Sequence, residues 1–208
     1  MAIGEVLYPV NLVVAGRPCL VVGAGRIGAR KAEGLLVAGA RVQVVATVVG
    51  TEVRSMPLTW DERPYSSQDL EGVWLAIAAT GDPEVDREVR ADGDAAGVWV
   101  NSADEPSLCT FTLPSVVRQG PVMVTVSTGG RSPALAGWLK SHVAAELGPG
   151  WATLAELLGE AREQLRAQGR STEDVDWRPV LEWSMLELVE AGDIARARER
   201  IRACLSSS

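Results

Sequence analysis

Gly23, Gly25 and Gly28 form a G-x-G-x-x-G turn between the apolar run Cys19-Leu20-Val21-Val22 and a stretch of helical periodicity. The chemistry this spacing serves is the holding of a pyrophosphate. Gly23 permits a tight turn, Gly25 omits the Cβ that would stand between backbone and phosphate, and Gly28 lets the next helix pack close to the sheet. The N–H groups and positive dipole end at that helix start then face the anion. A plain structural turn also uses glycines, but a strand before and a helix after are the context of a dinucleotide site.

Two further clusters carry polar chemistry. Asn101-Ser102-Ala103-Asp104-Glu105-Pro106 follows a strand-like run, and open parallel sheets bind ligands outside the carboxyl ends of their strands. Asp104 can therefore face a reacting group in the cleft. Equally, Asp104 and Glu105 can build a turn before Pro106. Ser127-Thr128-Gly129-Gly130-Arg131-Ser132-Pro133 joins hydroxyls, glycines, an arginine and a helix start, which suits a carboxylate. An ordinary capped helix start explains Ser132 and Pro133 but leaves Gly129-Gly130-Arg131 without a purpose. His142 is the only histidine and falls inside a predicted helix, where a surface or interhelix role is expected. With no Ser-His-Asp order, no H-E-x-x-H and no metal-ligand spacing, no metal is expected.

These groups need a scaffold, and the hydrophobic pattern predicts one. Residues 1–17 read as an approach segment, extended at Tyr8-Pro9-Val10. The helix after the glycines carries Ile27, Ala32, Leu35 and Leu36 on one stripe and stops at Gly39. Arg41 to Ala46 reads as a second parallel strand, completing a β-α-β unit. No acid stands at its end to bind ribose hydroxyls. Thr47 supplies a hydroxyl there, and no adjacent arginine awaits a 2′-phosphate, which favours NAD over NADP. Leu58 to Tyr65, Gly72 to Thr80, Gly97 to Asn101 and Thr110 to Leu113 read as further strands, with Asp82-Pro83 opening a helix between the second and third of these. Val122 to Ser127 alternates like a strand outside the first sheet, and a helix runs from Ser132-Pro133 to about Leu147. Gly148-Pro149-Gly150 reads as a linker. The remainder is helical, broken near residues 169–171 and 191–193, and Arg196, Arg198, Arg200 and Arg202 read as a solvated surface. The expected fold class is α/β: a Rossmann-type, mostly parallel sheet over 1–113, a small α+β segment over 114–147, and a helical region over 148–208.

The 208 residues, 47% hydrophobic and 23% charged, suit a globular protein with a real core. A formal net charge of −7 argues against nucleic acid as a partner, and no apolar run is long enough for a bilayer. Three widely spaced cysteines without C-x-x-C suggest reduced thiols. The N-terminus lacks a basic segment and carries Glu5, so no signal peptide is expected and the reading is cytoplasmic.

The chain resembles the precorrin-2 dehydrogenase family, which includes the N-terminal module of siroheme synthase. The resemblance rests on Val21-Val22-Gly23-Ala24-Gly25 with Arg30-Lys31, Trp74 to Thr80, Asn101 to Asp104, Phe111 to Ser115 and Val126 to Pro133, across residues 5–147. It implies NAD-dependent oxidation of precorrin-2 to sirohydrochlorin, on the route to siroheme or cobalamin, by a homodimer built around residues 114–147. It also implies that Arg26, Ile27, Thr47 and Val48 contact NAD beside Gly23, Gly25 and Gly28, and that Asp104 is the catalytic carboxylate. Asn101, Thr128, Gly129, Arg131 and Ser132 would meet the carboxylate-rich substrate, with Lys140 a further cation. Thr128 stands where serine is common, which keeps a hydroxyl. Some members also insert iron into the product, so a ferrochelatase activity is the alternative within the family. Because the 208 residues end without a methyltransferase domain, methylation is not expected. A non-catalytic NAD-sensing module is the alternative from another class, though it gives Asn101 to Asp104 and Thr128 to Pro133 no role.

Overall fold

The computed structural model describes residues 6–206; of the expected approach segment, residues 1–5 lie outside them. The chain divides into two compact units, residues 1–113 with 128–132, and residues 114–127 with 133–208.

The first unit is a five-stranded parallel sheet. In chain order its elements are β1 (Pro18–Val22), α1 (Arg26–Val37), β2 (Arg41–Ala46), α2 (Thr51–Arg54), β3 (Thr59–Glu62), β4 (Leu75–Ala78), α3 (Pro83–Ala96) and β5 (Trp99–Ser102). The strand order β3-β2-β1-β4-β5 is that of a doubly wound nucleotide fold. Every neighbouring pair in it is parallel. The connection from β3 to β4 crosses β2 and β1, so the crevice of this topology opens at the carboxyl ends of β1 and β4.

Alternation explains why β1 sits at the centre. Cys19 and Val21 pack with Ala29, Ala32, Val44 and Ile77 on the α1 face. Leu20 and Val22 pack with Val45, Ala76, Val89 and Val100 on the α3 face. Cys19 to Val22 of β1 are all buried, as a strand covered on both faces requires. Gly39 ends α1 at φ +79, with Ala40 donating to the Leu35 carbonyl and Gly39 to that of Leu36. Asp82 caps α3 by accepting from the Glu84 N–H at 2.9 Å. Gly93 lets α3 approach β5 so closely that a Cβ there would lie 2.3 Å from Val100 Cγ2.

Three sequence expectations need correction. Gly72 to Thr80 shrinks to four strand residues in β4, because only Leu75 to Ala78 find partners on β1 and β5. Gly97 is the left-handed cap of α3 rather than the start of β5. Thr110 to Leu113 is no strand: Thr110 donates its N–H and hydroxyl to the Val100 carbonyl and accepts the Val100 N–H at its Oγ1, so one side chain replaces a ladder.

The second unit holds an antiparallel hairpin, β6 (Ser115–Gln119) and β7 (Val122–Val126), then α4 (Pro133–Glu146), α5 (Gly150–Ala167), α6 (Trp183–Glu190) and α7 (Ile194–Ser206). β6 was not anticipated; β7 does pair outside the main sheet. Leu154, Leu157, Ala161 and Leu165 of α5 meet Met185 and Val189 of α6 and Ala197 and Ile201 of α7 in one core. Gly150, read as linker, is the buried first residue of α5, where a Cβ would press on Glu190 and Leu186. Arg198 pairs with Glu160 of α5 and Arg200 donates to Ser184 and the Pro179 carbonyl, so two of the four α7 arginines tie helices together. Among the described residues no helix is long and apolar enough to cross a membrane.

Candidate active site and cofactor cradle

The glycine turn gives each glycine a different duty. Gly23 has φ +106 and donates its N–H to the Val45 carbonyl at 2.8 Å; a Cβ on it would lie 2.2 Å from the Ala79 carbonyl oxygen. It is thus wedged between the ends of β2 and β4. Gly28 is buried, and its Cβ would lie 2.0 Å from the Gly23 carbonyl oxygen. Gly25 is the opposite case: it is exposed, has an ordinary φ of −71, and would meet nothing within 4 Å.

Gly25 is also the N-cap of α1, and no side chain caps that helix or puts an acid in its first turn. The start of a twelve-residue helix therefore presents its N–H groups beside open space, with Arg26 and Ile27 exposed there. A pyrophosphate fits this arrangement. Thr47 and Val48 lie exposed past the end of β2, and a Cβ added to Gly50 behind them would lie 4.0 Å from the Ala24 carbonyl oxygen of the glycine turn. The loop after β2 and the glycine turn therefore run close together at Gly50.

At the carboxyl end of β5, Asp104, Glu105 and Ser107 line a cavity of about 330 Å³ together with Gly81, Asp86 and Arg87. Asp104 is exposed, and among the described residues no hydrogen bond or ion pair engages its carboxylate. Its neighbour behaves differently. Glu105 accepts from the Ser107 N–H at 3.2 Å and the Ser107 hydroxyl at 2.8 Å, and these two contacts hold its carboxyl below the usual range.

Asn101 is not where a substrate-facing role would put it. It is 6% exposed, and its amide donates to the Phe111 carbonyl at 3.0 Å and to Cys109 Sγ at 3.3 Å. It fastens the loop that carries Asp104. Cys109 Sγ also accepts from the Ser102 N–H, and burial pushes its pKa up, so it stays a neutral thiol.

Sequence reasoning missed the centre of this region, Asp86. It is 3% exposed; its Oδ1 accepts from the Thr80 hydroxyl at 2.6 Å and its Oδ2 from the Ser102 hydroxyl at 3.0 Å. Ser102 Oγ in turn accepts from the Glu105 N–H at 3.2 Å. One carboxylate thereby joins the ends of β4 and β5 to α3. The available signal was its spacing: Asp86 lies three residues before Val89 and seven before Gly93, on the face α3 buries.

The Thr128 to Ser132 loop is self-bonded. Thr128 Oγ1 accepts from the Ser132 N–H at 3.1 Å and donates to the Ser132 carbonyl at 3.2 Å, while Gly129 and Gly130 have φ +60 and +76. Arg131 is exposed, and α4 begins at Pro133, directly after Ser132. His142 lies on the exposed face of α4, its ring 4.9 Å from that of Trp138. Among the described residues no three His, Cys, Asp or Glu side chains gather as a metal would need.

A parallel sheet of this order, with an uncapped helix start behind its first strand, defines a dinucleotide-binding α/β protein. The family model described as "Putative NAD(P)-binding" matches residues 10–115, and the chain belongs to that family. The siroheme synthase of Nitrosomonas europaea is 37% identical over 207 residues, covering 96% of this chain and 44% of that protein. That of Nitrosococcus oceani is 33% identical over 203 residues, covering 95% and 43%. The chain spans less than half the length of these curated relatives. The solved structure of SirC, precorrin-2 dehydrogenase, shares the fold with a TM-score of 0.67 over 97% of this chain and 98% of that one, at 24% identity.

Proposed function

We propose that this chain oxidises precorrin-2 to sirohydrochlorin with NAD, in the biosynthesis of siroheme or cobalamin. The observation that carries the reading is an unshared carboxylate, Asp104, on a cavity at the carboxyl edge of the sheet whose first turn forms the dinucleotide cradle. Relatives named siroheme synthase, matched over nearly the whole of this chain, support the substrate class.

NAD, when bound, supplies a hydride acceptor. The chain's own work is then positional and electrostatic. The α1 N-terminus holds the pyrophosphate, and Arg26, Ile27, Thr47 and Val48 flank the rest of the dinucleotide. Asp104 accepts the proton lost from the macrocycle or stabilises the positive charge left by hydride departure. Thr128, Gly129, Arg131 and Ser132 receive substrate carboxylates. Asn101 contributes by holding the Asp104 loop.

The same reading includes a homodimer. α4 buries only Ala136, leaving Leu135 and Trp138 about half exposed, which a second copy of the chain would cover. It places the enzyme in the cytoplasm, where the free thiols of Cys19, Cys109 and Cys204 stay reduced. Incubating the chain with precorrin-2 and NAD tests the proposal directly. NADH absorbance should grow together with the spectrum of sirohydrochlorin. NAD binding without turnover would leave a sensing module instead.

A further inference from the structure

The carboxylate absent from the end of β2 has a counterpart one strand away. Glu62 closes β3 and pairs in register with Ala46, the last residue of β2. Its Oε2 accepts from the Val49 N–H at 3.3 Å, in the loop that carries Thr47 and Val48. The same oxygen accepts from the Arg54 guanidinium. Arg54 Nε donates to the Val49 carbonyl at 3.0 Å, and its guanidinium lies over the Trp60 ring, 4.2 Å from the centroid. Asp61, next along β3, accepts instead from Gln43 at 2.9 Å. Three partners thus hold Arg54 beside the loop after β2: a carboxylate, a carbonyl and an aromatic face.

Resting on the NAD reading above, we propose that Glu62 selects a dinucleotide with a free ribose 2′-hydroxyl over one with a 2′-phosphate, by pairing with Arg54 and so cancelling the positive charge that a 2′-phosphate would need beside that position. A 2′-phosphate would face the Glu62 carboxylate and an Arg54 guanidinium already committed to it through Nη2 and to the Val49 carbonyl through Nε, so the pair offers it no net positive charge. A 2′-hydroxyl carries no charge and meets no such opposition.

Titration calorimetry with NAD and with NADP on the whole chain tests this. Wild type should prefer NAD. Glu62→Gln keeps an acceptor for the Val49 N–H but removes the charge and frees Arg54, so NADP affinity should rise about tenfold, or 1.4 kcal/mol, while NAD changes less than threefold. Adding Arg54→Gln to that variant should abolish the gain. Should Glu62→Gln fold poorly by circular dichroism, Arg54→Gln alone leaves Glu62 unneutralised and should weaken NADP further, with NAD affinity kept. Equal losses for both nucleotides in Glu62→Gln, or equal wild-type affinities, would overturn the proposal while leaving the NAD site standing. A wild type that binds neither would instead overturn the cofactor reading on which this rests.

Discussion

Replacing the three glycines of the turn one at a time by alanine should separate folding from cofactor binding. At Gly25 the new methyl meets nothing within 4 Å and φ is an unstrained −71. Alanine is a poorer N-cap than glycine but loses less backbone entropy on folding, so stability should change by less than about 1 kcal/mol. The methyl does stand where a pyrophosphate must approach. Overpacking of that kind costs about 1–3 kcal/mol, so NAD should bind roughly 5- to 150-fold more weakly. At Gly28 the methyl lies 2.0 Å from a backbone oxygen, and at Gly23 it lies 2.2 Å from another with φ at +106. Neither backbone oxygen can step aside cheaply, so both variants should lose about 3 kcal/mol or more, roughly 10 °C in melting temperature. Thermal melts followed by NAD titration at 20 °C below each midpoint would show the pattern. A Gly25→Ala protein that binds NAD like wild type would refute the cradle. A Gly28→Ala protein that melts like wild type would refute the packing argument.

Other consequences are open to measurement. Asp104→Asn should keep fold and NAD binding but lower turnover by roughly 10²-fold, and Glu105→Gln should cost far less; equal losses would indicate bulk electrostatics only. Light scattering at micromolar concentration should give twice the chain mass, and Trp138→Asp should halve it; a monomeric wild type would end the dimer proposal. Burial pushes the Asp69 carboxyl up, but Arg63 at 2.5 Å and the Ser66 N–H outweigh it and hold its pKa below the ordinary value. A depressed carboxyl stabilises the fold above its unfolded pKa of about 4 and loses that contribution as pH falls through the folded value. Asp69→Asn should therefore lower the melting temperature at pH 7 and flatten its fall below pH 4. An unchanged acid limb would contradict that.

How much of this was legible beforehand follows from whether the information is local. The glycine turn, the stop at Gly39 and the cap at Asp82 were readable because each is decided within a few residues. β6 was not, since Ser115 to Gln119 becomes a strand only through β7 across a two-residue turn. α2, a single turn, left no periodicity to detect. Thr110 to Leu113 has strand composition, yet a threonine hydroxyl took over the pairing. Glu62 stands well beyond Ala46 in sequence, so its place beside the end of β2 is not a local property. Only parallel register with β3 places the acid there.

The Asp86 network bears on the proposal that Asp104, rather than a neighbouring acid, acts in the chemistry. A carboxylate removed from water is tolerable only if donors satisfy it. Asp86 has the hydroxyls of Thr80 and Ser102 as donors. Those bonds clamp the ends of β4 and β5, and Ser102 passes the restraint to the Glu105 N–H. Asn101, through Phe111 and Cys109, ties down the far side of the same loop. Glu105 is then absorbed into its own turn by Ser107. What remains is a fixed backbone from which the Asp104 side chain projects unshared toward the cavity. A group that is to accept a proton must be held by its backbone while its oxygens stay free, and in this loop that combination falls on Asp104 alone among the acids the described residues place on the cavity.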